Sequence, residues 1–124
     1  IQQIKTRRGQ HEFREDLRKR YANQCLVTGC KLIDVLEAAH ILPYRGENDN
    51  HPENGLLLRA DIHTLFDLDL MGIEPDSLTI RFHPNALANG YNIWHGKKLL
   101  CSNTQPSKIA LILRWKYLTE RWQS

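Results

Sequence analysis

The chain has 124 residues and a net charge of +3, with 41% hydrophobic and 25% charged residues, which is typical of a single globular domain. No apolar run approaches the roughly 20 residues needed to cross a bilayer, so the composition excludes a membrane-spanning protein. We therefore expect a soluble, intracellular protein without a membrane partner. Because the chain begins at Ile1 without an initiator Met, we also expect a single domain (1–124) cut from a longer protein.

Basic side chains are concentrated at the start of the chain. Residues 1–31 contain eight basic and three acidic side chains, a local charge of +5. Such a segment suits a polyanionic partner, because neutralised phosphates release their counterions. A solvated helix face gives the same pattern, so this charge alone leaves both interpretations open.

The three cysteines do not indicate a disulfide framework, because their number is odd and no secretory signal accompanies them. Cys25 and Cys30 have four residues between them, a spacing compatible with half of a zinc site. No second pair at similar spacing completes the site. We interpret them as ordinary thiols flanking a turn, and a structural zinc is not expected.

The N-terminal part predicts a helix followed by a short strand. Phe13, Leu17 and Tyr21 recur every four residues, which favours an amphipathic helix over residues 9–21. Residues 25–28 then predict a short strand that turns at the next glycine.

The central part combines a strand and a helix that carry reactive side chains. A strand is predicted over residues 35–41, with His40 near its end. A short helix over residues 60–69 carries His63 and Asp67 one turn apart. The connection between them, residues 45–53, lacks apolar side chains and is expected to be a surface loop.

The C-terminal part predicts a small antiparallel sheet and a final helix. The strands cover residues 78–82 and a hairpin of 91–94 with 97–100. The helix starts after Pro106 and Ser107. Its apolar side chains form one buried stripe, Leu111, Trp115, Leu118 and Trp122, widened by Ile109, Ile112 and Leu113.

The central residues have the chemistry needed for phosphodiester hydrolysis. A neutral imidazole such as His40 can take a proton from water near pH 7. On a helix, His63 and Asp67 project from the same face, the spacing of two ligands on one ion. An imidazole with a carboxylate suits Mg²⁺, Mn²⁺, Ni²⁺ or Zn²⁺ better than Ca²⁺.

Each residue alone also has a structural interpretation. His40 could be a hydrogen-bonded residue at a strand end, and His63 with Asp67 could be an ion pair along the helix. Asn54, which precedes a glycine, could shape a turn. The combination, rather than any single residue, supports a catalytic site.

The spacing of His40, thirteen residues, Asn54, eight residues and His63 resembles the signature of the HNH endonucleases, the ββα-metal superfamily. The surrounding words EAAHILPY (37–44) and NGLLLRADIHTLFD (54–67) are similar to the branch fused to modification-sensing modules in bacterial restriction enzymes. GQHEFR (9–14) and CLVTGC (25–30) extend this resemblance.

The resemblance implies an α+β fold in which a ββα-metal core at 36–69 is flanked by N- and C-terminal helices and a small antiparallel sheet. It implies that His40 is the general base, that Asn54 holds the His40 ring or its loop, and that His63 binds a single divalent ion. The substrate would be DNA, most simply double-stranded, in the bacterial cytoplasm.

The chain departs from this family at Ala39, where many relatives carry a first metal ligand. Asp67 is our replacement, by analogy with members that use a second helical ligand one turn after the first. Glu37 is a poorer candidate, since strand alternation puts it on the side of Ala39 but two residues back.

We expect DNA contacts from basic residues at the following positions: Arg14, Arg18, Lys19, Arg45 and Arg59. Nothing resembles a base-reading helix, so target choice is expected from a fused or associated module, and two copies could pair for double-strand cuts. Two other functions stay open, namely a non-catalytic nucleic-acid-binding module of the same fold and a small zinc-stabilised interaction domain.

Overall fold

The chain begins with a long helix, α1 (Gln2–Arg20), which packs on the β-hairpin described below. The structure is a computed structural model that describes residues 2–43, 47–101 and 103–123. The predicted stripe of Phe13, Leu17 and Tyr21 is buried, so the helix packs as its periodicity indicates.

The end of α1 is set by two residues in the left-handed region. Ala22 and Asn23 have φ of 53° and 54°, and the amide of Asn23 donates to the carbonyl of Arg18 at 2.9 Å. This bond satisfies one carbonyl that the end of a helix leaves open.

The core of the fold is an antiparallel hairpin followed directly by a helix. Strand β1 (Leu36–His40) pairs with β2 (Gly55–Arg59) so that His40 lies opposite Gly55, and α2 (Ala60–Asp67) begins at the next residue. This unit confirms the α+β fold with a ββα core.

Strand β2 is buried along almost its whole length instead of alternating. Residues 55–58 are all buried, because α1 covers one face of the hairpin and α2 covers the other. A Cβ on Gly55 would lie 2.7 Å from atoms of Phe13 and Leu17, so the close approach of α1 requires glycine there.

The remaining elements form a second, smaller layer. Strand β3 (Met71–Ile73) pairs with β4 (Ile80–Phe82), and a short helix, α3 (Pro84–Leu87), follows. The final helix, α4 (Lys108–Gln123), packs on β3.

The predicted strand at 25–28 was wrong, because this segment is a turn. The amide of Cys25 donates to Cys30 O at 2.9 Å, which closes the chain around Gly29 at φ 78°. Leu26 still joins the fold through its backbone: its amide donates to Leu57 O at 3.0 Å, and its carbonyl accepts from the amide of Leu100 at 2.9 Å.

The predicted hairpin of 91–94 with 97–100 was also wrong. Tyr91–Trp94 is a 3-10 turn, and Lys98 in the following segment forms an isolated antiparallel bridge with Thr79, just before β4. The amide of Ile80 donates to Lys97 O at 2.8 Å, and the amide of Leu99 donates to Leu78 O at 2.9 Å. The apolar segments were recognised correctly, but the partner strand was not.

Helix α4 buries a narrower stripe than we expected. Leu111 and Leu118 are buried and the two tryptophans are partly buried, whereas three predicted members of the stripe are exposed: Ile109, Ile112 and Leu113. Within the described part of the chain, no helix combines the length and apolar character that crossing a membrane requires.

Candidate active site

His63 lies between two carboxylates on the face of the hairpin that α2 covers. Its Nδ1 is 2.8 Å from Glu37 Oε1, and its Nε2 is 3.1 Å from Asp67 Oδ2. Glu37 comes from β1, and Asp67 lies one helical turn after His63. The ring is 24% exposed and the carboxylates are about half exposed, at 49% for Glu37 and 57% for Asp67, so the group borders solvent.

The pair of His63 Nε2 and Asp67 fits one divalent cation. Two ligand atoms bound to the same ion at about 2.1 Å, at angles of 90–109°, are about 3.0–3.4 Å apart. The observed separation of 3.1 Å falls within this range. An ion held by these two residues would keep positions for water and phosphate oxygens.

Glu37 contacts the other ring nitrogen of His63, Nδ1, which points away from Asp67. His63 therefore joins the two carboxylates in a row, and one ion cannot bind all three side chains in this arrangement. Consistent with this, no group of three or more His, Cys, Asp or Glu side chains suited to a metal occurs among residues 2–43, 47–101 and 103–123. Glu37 is placed to accept the Nδ1 proton and orient the ring, a role that carboxylates beside metal-binding histidines often have.

His40 lies on the opposite face of β1, against α1. Its ring stacks on Phe13 with centroids 4.2 Å apart and planes 10° from parallel. Its Nε2 is 2.9 Å from Asn50 Oδ1, at the end of the 3-10 turn Glu47–Asn50. Two contacts from different elements thus restrict the orientation of the imidazole.

Asn54 fastens the segment that follows His40. Its Oδ1 accepts from the amide of Leu42 at 3.0 Å, and its Nδ2 donates to Leu42 O at 3.2 Å and to Asp49 O at 3.0 Å. Its carbonyl also accepts from the amide of Ile41 at 2.9 Å. Asn54 therefore ties the backbone just after His40 to the 3-10 turn Glu47–Asn50.

The end of α2 that carries Asp67 lies toward the end of β1 that carries His40. His63 contacts Glu37 near the start of β1, and four further residues of helix advance the chain by about 6 Å. Arg114 of α4 donates both to Ile41 O, just after β1, and to Phe66 O, near the end of α2. The helix thus runs in the same direction as β1, and the end of α2 lies on the same side of Arg114 as the end of β1.

Comparisons with known proteins show what the central segment and the fold are similar to. Residues 25–74 match the family model described as HNH endonuclease. The match spans 50 of the 124 residues, and this segment is similar to the HNH endonucleases. It contains all five central candidates: Glu37, His40, Asn54, His63 and Asp67.

A solved structure titled "Modification dependent TagI restriction endonuclease" has a similar fold. The TM-score is 0.62 at 19% sequence identity, and the match covers 86% of this chain but 37% of that one. The chain therefore spans little more than a third of that protein. A search of curated proteins found no match.

The basic residues predicted to contact DNA differ from one another in their surroundings. Lys19 and Arg14 are exposed on α1, and Arg14 Nη2 is 3.2 Å from His11 Nδ1. Arg18 is partly buried and pairs with Glu15 at 2.9 Å. Arg45 lies outside the described residues.

Arg59 is already engaged by protein groups next to the HNH helix. Its guanidinium makes two bonds to Asp61, at 2.7 and 3.0 Å, and lies 5.1 Å from the centre of the Trp94 ring. Asp61 also accepts from the hydroxyl of Tyr91 at 2.9 Å. The hydrogen bonds from Arg59 hold the pKa of Asp61 below its usual value, and burial raises the pKa of Tyr91. A phosphate at Arg59 would have to compete with Asp61.

The cysteines near the start of the HNH segment are free thiols. Cys25 is buried, and its Sγ accepts from the amides of Thr28 at 3.4 Å and Arg59 at 3.2 Å. These contacts give Cys25 a place in the fold that needs no ion. The absence of a structural zinc remains a prediction.

Sequence reasoning missed three residues that support the site, namely Phe13 as the platform for His40, Asn50 and Arg114. Phe13 was recognised only as a core residue. Asn50 stands in the run ENDN, where nothing in the sequence distinguishes one polar residue from the next. Arg114 is one of many cations and lies far along the chain from the residues it contacts.

Proposed function

We propose that the chain is the cleavage domain of a metal-dependent DNA endonuclease. In this proposal, His40 activates the attacking water, and His63 with Asp67 binds one divalent cation. The observation that carries it is the 3.1 Å separation of His63 Nε2 and Asp67 Oδ2 at a solvent-exposed edge of an HNH segment.

His40 is prepared for proton transfer by its neighbours. The contact with Asn50 Oδ1 and the stacking on Phe13 fix the position and plane of the ring. We assign to the His40 imidazole the removal of a proton from the attacking water.

His63 and its carboxylates make up the other half of the mechanism. Glu37 accepts the Nδ1 proton of His63, which leaves the Nε2 lone pair directed toward the carboxylate of Asp67. A divalent cation bound there would offset charge on the phosphoryl group and support the departing oxygen. Because Mg²⁺, Mn²⁺, Ni²⁺ and Zn²⁺ all accept an imidazole with a carboxylate, the choice of metal is left to experiment.

We further propose that double-stranded DNA lies across the exposed edge where the two halves meet. The exposed cations Arg14 and Lys19 on α1 are then suited to phosphate contacts, since α1 also carries the platform under His40. These contacts position DNA without reading its sequence.

Target choice is proposed to come from a fused or associated module, and paired copies would produce double-strand cuts. The similar structure, which is titled as modification dependent, is much longer than this chain. Sequence-restricted cutting by the 124 residues alone would contradict this part of the proposal.

A plasmid assay tests the proposed function. Supercoiled DNA incubated with the purified chain and Mn²⁺ or Mg²⁺ should convert to the nicked form, and EDTA should stop the reaction. A control variant, His83→Asn, changes a histidine outside the site and keeps a side chain able to cap α3, so it should nick DNA like the wild-type chain. Nicking that persists in EDTA, or that is absent with every metal, would refute the proposal.

One observation favours a second candidate, a DNA-binding module without turnover. The side chain of Ala39 has no atom that could bind a metal, and the described residues leave His63 and Asp67 as the two proposed ligands. Binding of duplex DNA without metal-dependent nicking would identify this alternative.

A further inference from the structure

Arg114 of α4 contacts both halves of the candidate site through backbone carbonyls. Its Nη1 donates to Ile41 O at 3.1 Å, and its Nη2 donates to Phe66 O. The guanidinium also lies over the ring of Phe66, 4.0 Å from its centre. The side chain is 13% exposed, so these contacts are made in the interior.

The two carbonyls adjoin the proposed catalytic groups in sequence. Ile41 directly follows His40, and Phe66 directly precedes Asp67. One planar guanidinium, whose donors have fixed directions, therefore links the end of the strand that carries the base to the end of the helix that carries the ligand.

Asp69 anchors Arg114 in this position. Its Oδ1 is 3.3 Å from Arg114 Nη2, and its Oδ2 accepts from Arg121 Nη1 at 2.9 Å. Its carbonyl accepts from Trp122 Nε1 at 2.8 Å. Helix α4 is thus tied at three residues to the turn that ends α2.

Stability alone is a weak reason for a buried arginine. Burial lowers the pKa of Arg114, which shows that its charge is poorly solvated, and an apolar side chain often serves as well for packing. What an apolar side chain does not provide is a set of donors that fixes two separate backbone segments relative to each other.

We propose that Arg114 is a positioning residue that sets the separation of His40 from the His63–Asp67 pair. This inference rests on the proposed function for its catalytic consequence, but its structural part applies to the metal-free protein. It also gives α4 a role in the site that the sequence did not indicate.

The primary test is NMR of the histidine side chains in the metal-free chain. The variants are Arg114→Met, which removes all hydrogen-bond donors, and Arg114→Lys, which keeps the charge but loses the planar arrangement of donors. The control is Arg121→Gln, which removes the other cation from Asp69 but leaves the contacts of Arg114 to the carbonyls. Spectra are recorded at a temperature where circular dichroism shows that each variant is folded. If Arg114→Met does not fold, the test is made with Arg114→Lys.

We expect the imidazole resonances of both His40 and His63 to shift in the Arg114 variants, less in the lysine variant, and to stay at their wild-type positions in Arg121→Gln. Wild-type resonances in the folded Arg114 variants, or equal shifts in Arg121→Gln, would overturn the inference. Because this readout needs neither metal nor cleavage, it decides the inference even if the wild-type chain does not nick DNA.

Kinetics give the second readout where nicking is observed. At saturating Mn²⁺, kcat of Arg114→Lys should fall by about 10- to 100-fold, the effect expected for a displacement of about 1 Å between reacting groups. KM for plasmid should change little, because Arg114 is buried and does not face the DNA. An unchanged kcat, or a loss confined to KM, would contradict a positioning role.

Discussion

Replacing Glu37 with alanine should weaken binding of Mn²⁺ although Glu37 does not touch the ion. Its carboxylate is 2.8 Å from His63 Nδ1, on the side of the ring opposite Asp67. Loss of this acceptor frees the ring to rotate and to adopt the tautomer with its proton on Nε2. Removal of such an orienting carboxylate typically lowers metal affinity by about 10- to 100-fold.

The geometry separates this orienting effect from simple charge attraction. The Glu37 carboxylate would lie about 7 Å from an ion at Nε2, and its attraction to a doubly charged ion in a water-like dielectric is about 1.2 kcal/mol, or a factor of about seven in affinity. An orienting role corresponds to about 1.4–2.8 kcal/mol. Glu37→Gln keeps an oxygen acceptor but loses the charge, so it should cost no more than the smaller of the two effects.

Calorimetric titration of Mn²⁺ into the wild-type chain and three variants measures these differences. Asp67→Ala should lower the affinity for Mn²⁺ more than Glu37→Ala, since it removes a ligand, and Glu37→Gln should stay within about sevenfold of wild type. If Glu37→Ala binds as tightly as wild type, Glu37 has no role in the site. If it loses binding as completely as Asp67→Ala, Glu37 is a ligand and the orienting argument is wrong.

Two further predictions concern stability. Gly72→Ala should lower the free energy of unfolding by roughly 1–3 kcal/mol in urea titrations, because its Cβ would lie 2.0 Å from Leu118 Cδ2. Leu118→Ala should lower the free energy of unfolding less in the Gly72→Ala chain than in wild type. If the effects of the two substitutions simply add, the proposed clash does not exist. The hydrogen bond from Arg59 lowers the pKa of Asp61 in the folded chain. The ionised carboxylate therefore stabilises the fold above about pH 4, and this stabilisation is lost as the pH falls through the pKa of Asp61 in the folded state. Between pH 5 and pH 3, Asp61→Asn should therefore lose less stability than wild type. Urea midpoints that fall equally with pH in the two proteins would contradict this prediction.

The contact between His63 and Asp67 could be predicted because it depends on local geometry. A separation of four residues places His63 and Asp67 on one helix face whatever surrounds them. Strand alternation likewise put Glu37 on the side of Ala39, which is the side where α2 lies. Its contact with Nδ1 rather than with a shared ion depends on the tilt of α2, which no spacing rule contains.

The surroundings of His40 depend on contacts between distant segments. Asn50 reaches the imidazole because the loop folds back over the strand end, and Phe13 reaches it because α1 crosses the hairpin. Arg114 is a stronger example, since it is more than 70 residues from Ile41 in sequence. Periodicity identifies which residues are buried but not which buried elements meet.

The errors in the C-terminal half have a related cause. Of the predicted strand 97–100, the structure keeps one isolated bridge, Lys98 with Thr79, and the nearest apolar segment, Tyr91–Trp94, closes into a 3-10 turn. Pairing then goes to residues 78–80, which local turn signals did not favour. Short strands are specified largely by what they pack against, so their partners are poorly determined by sequence alone.

The most direct measurement of the central claim is single-turnover nicking by His40→Ala with Mn²⁺ occupancy measured in the same samples. Since His40 is assigned proton transfer and not metal binding, the variant should bind Mn²⁺ like wild type yet cleave about 10²- to 10⁴-fold more slowly. Cleavage at close to the wild-type rate with Mn²⁺ bound would show that His40 is not the base and would contradict the mechanism.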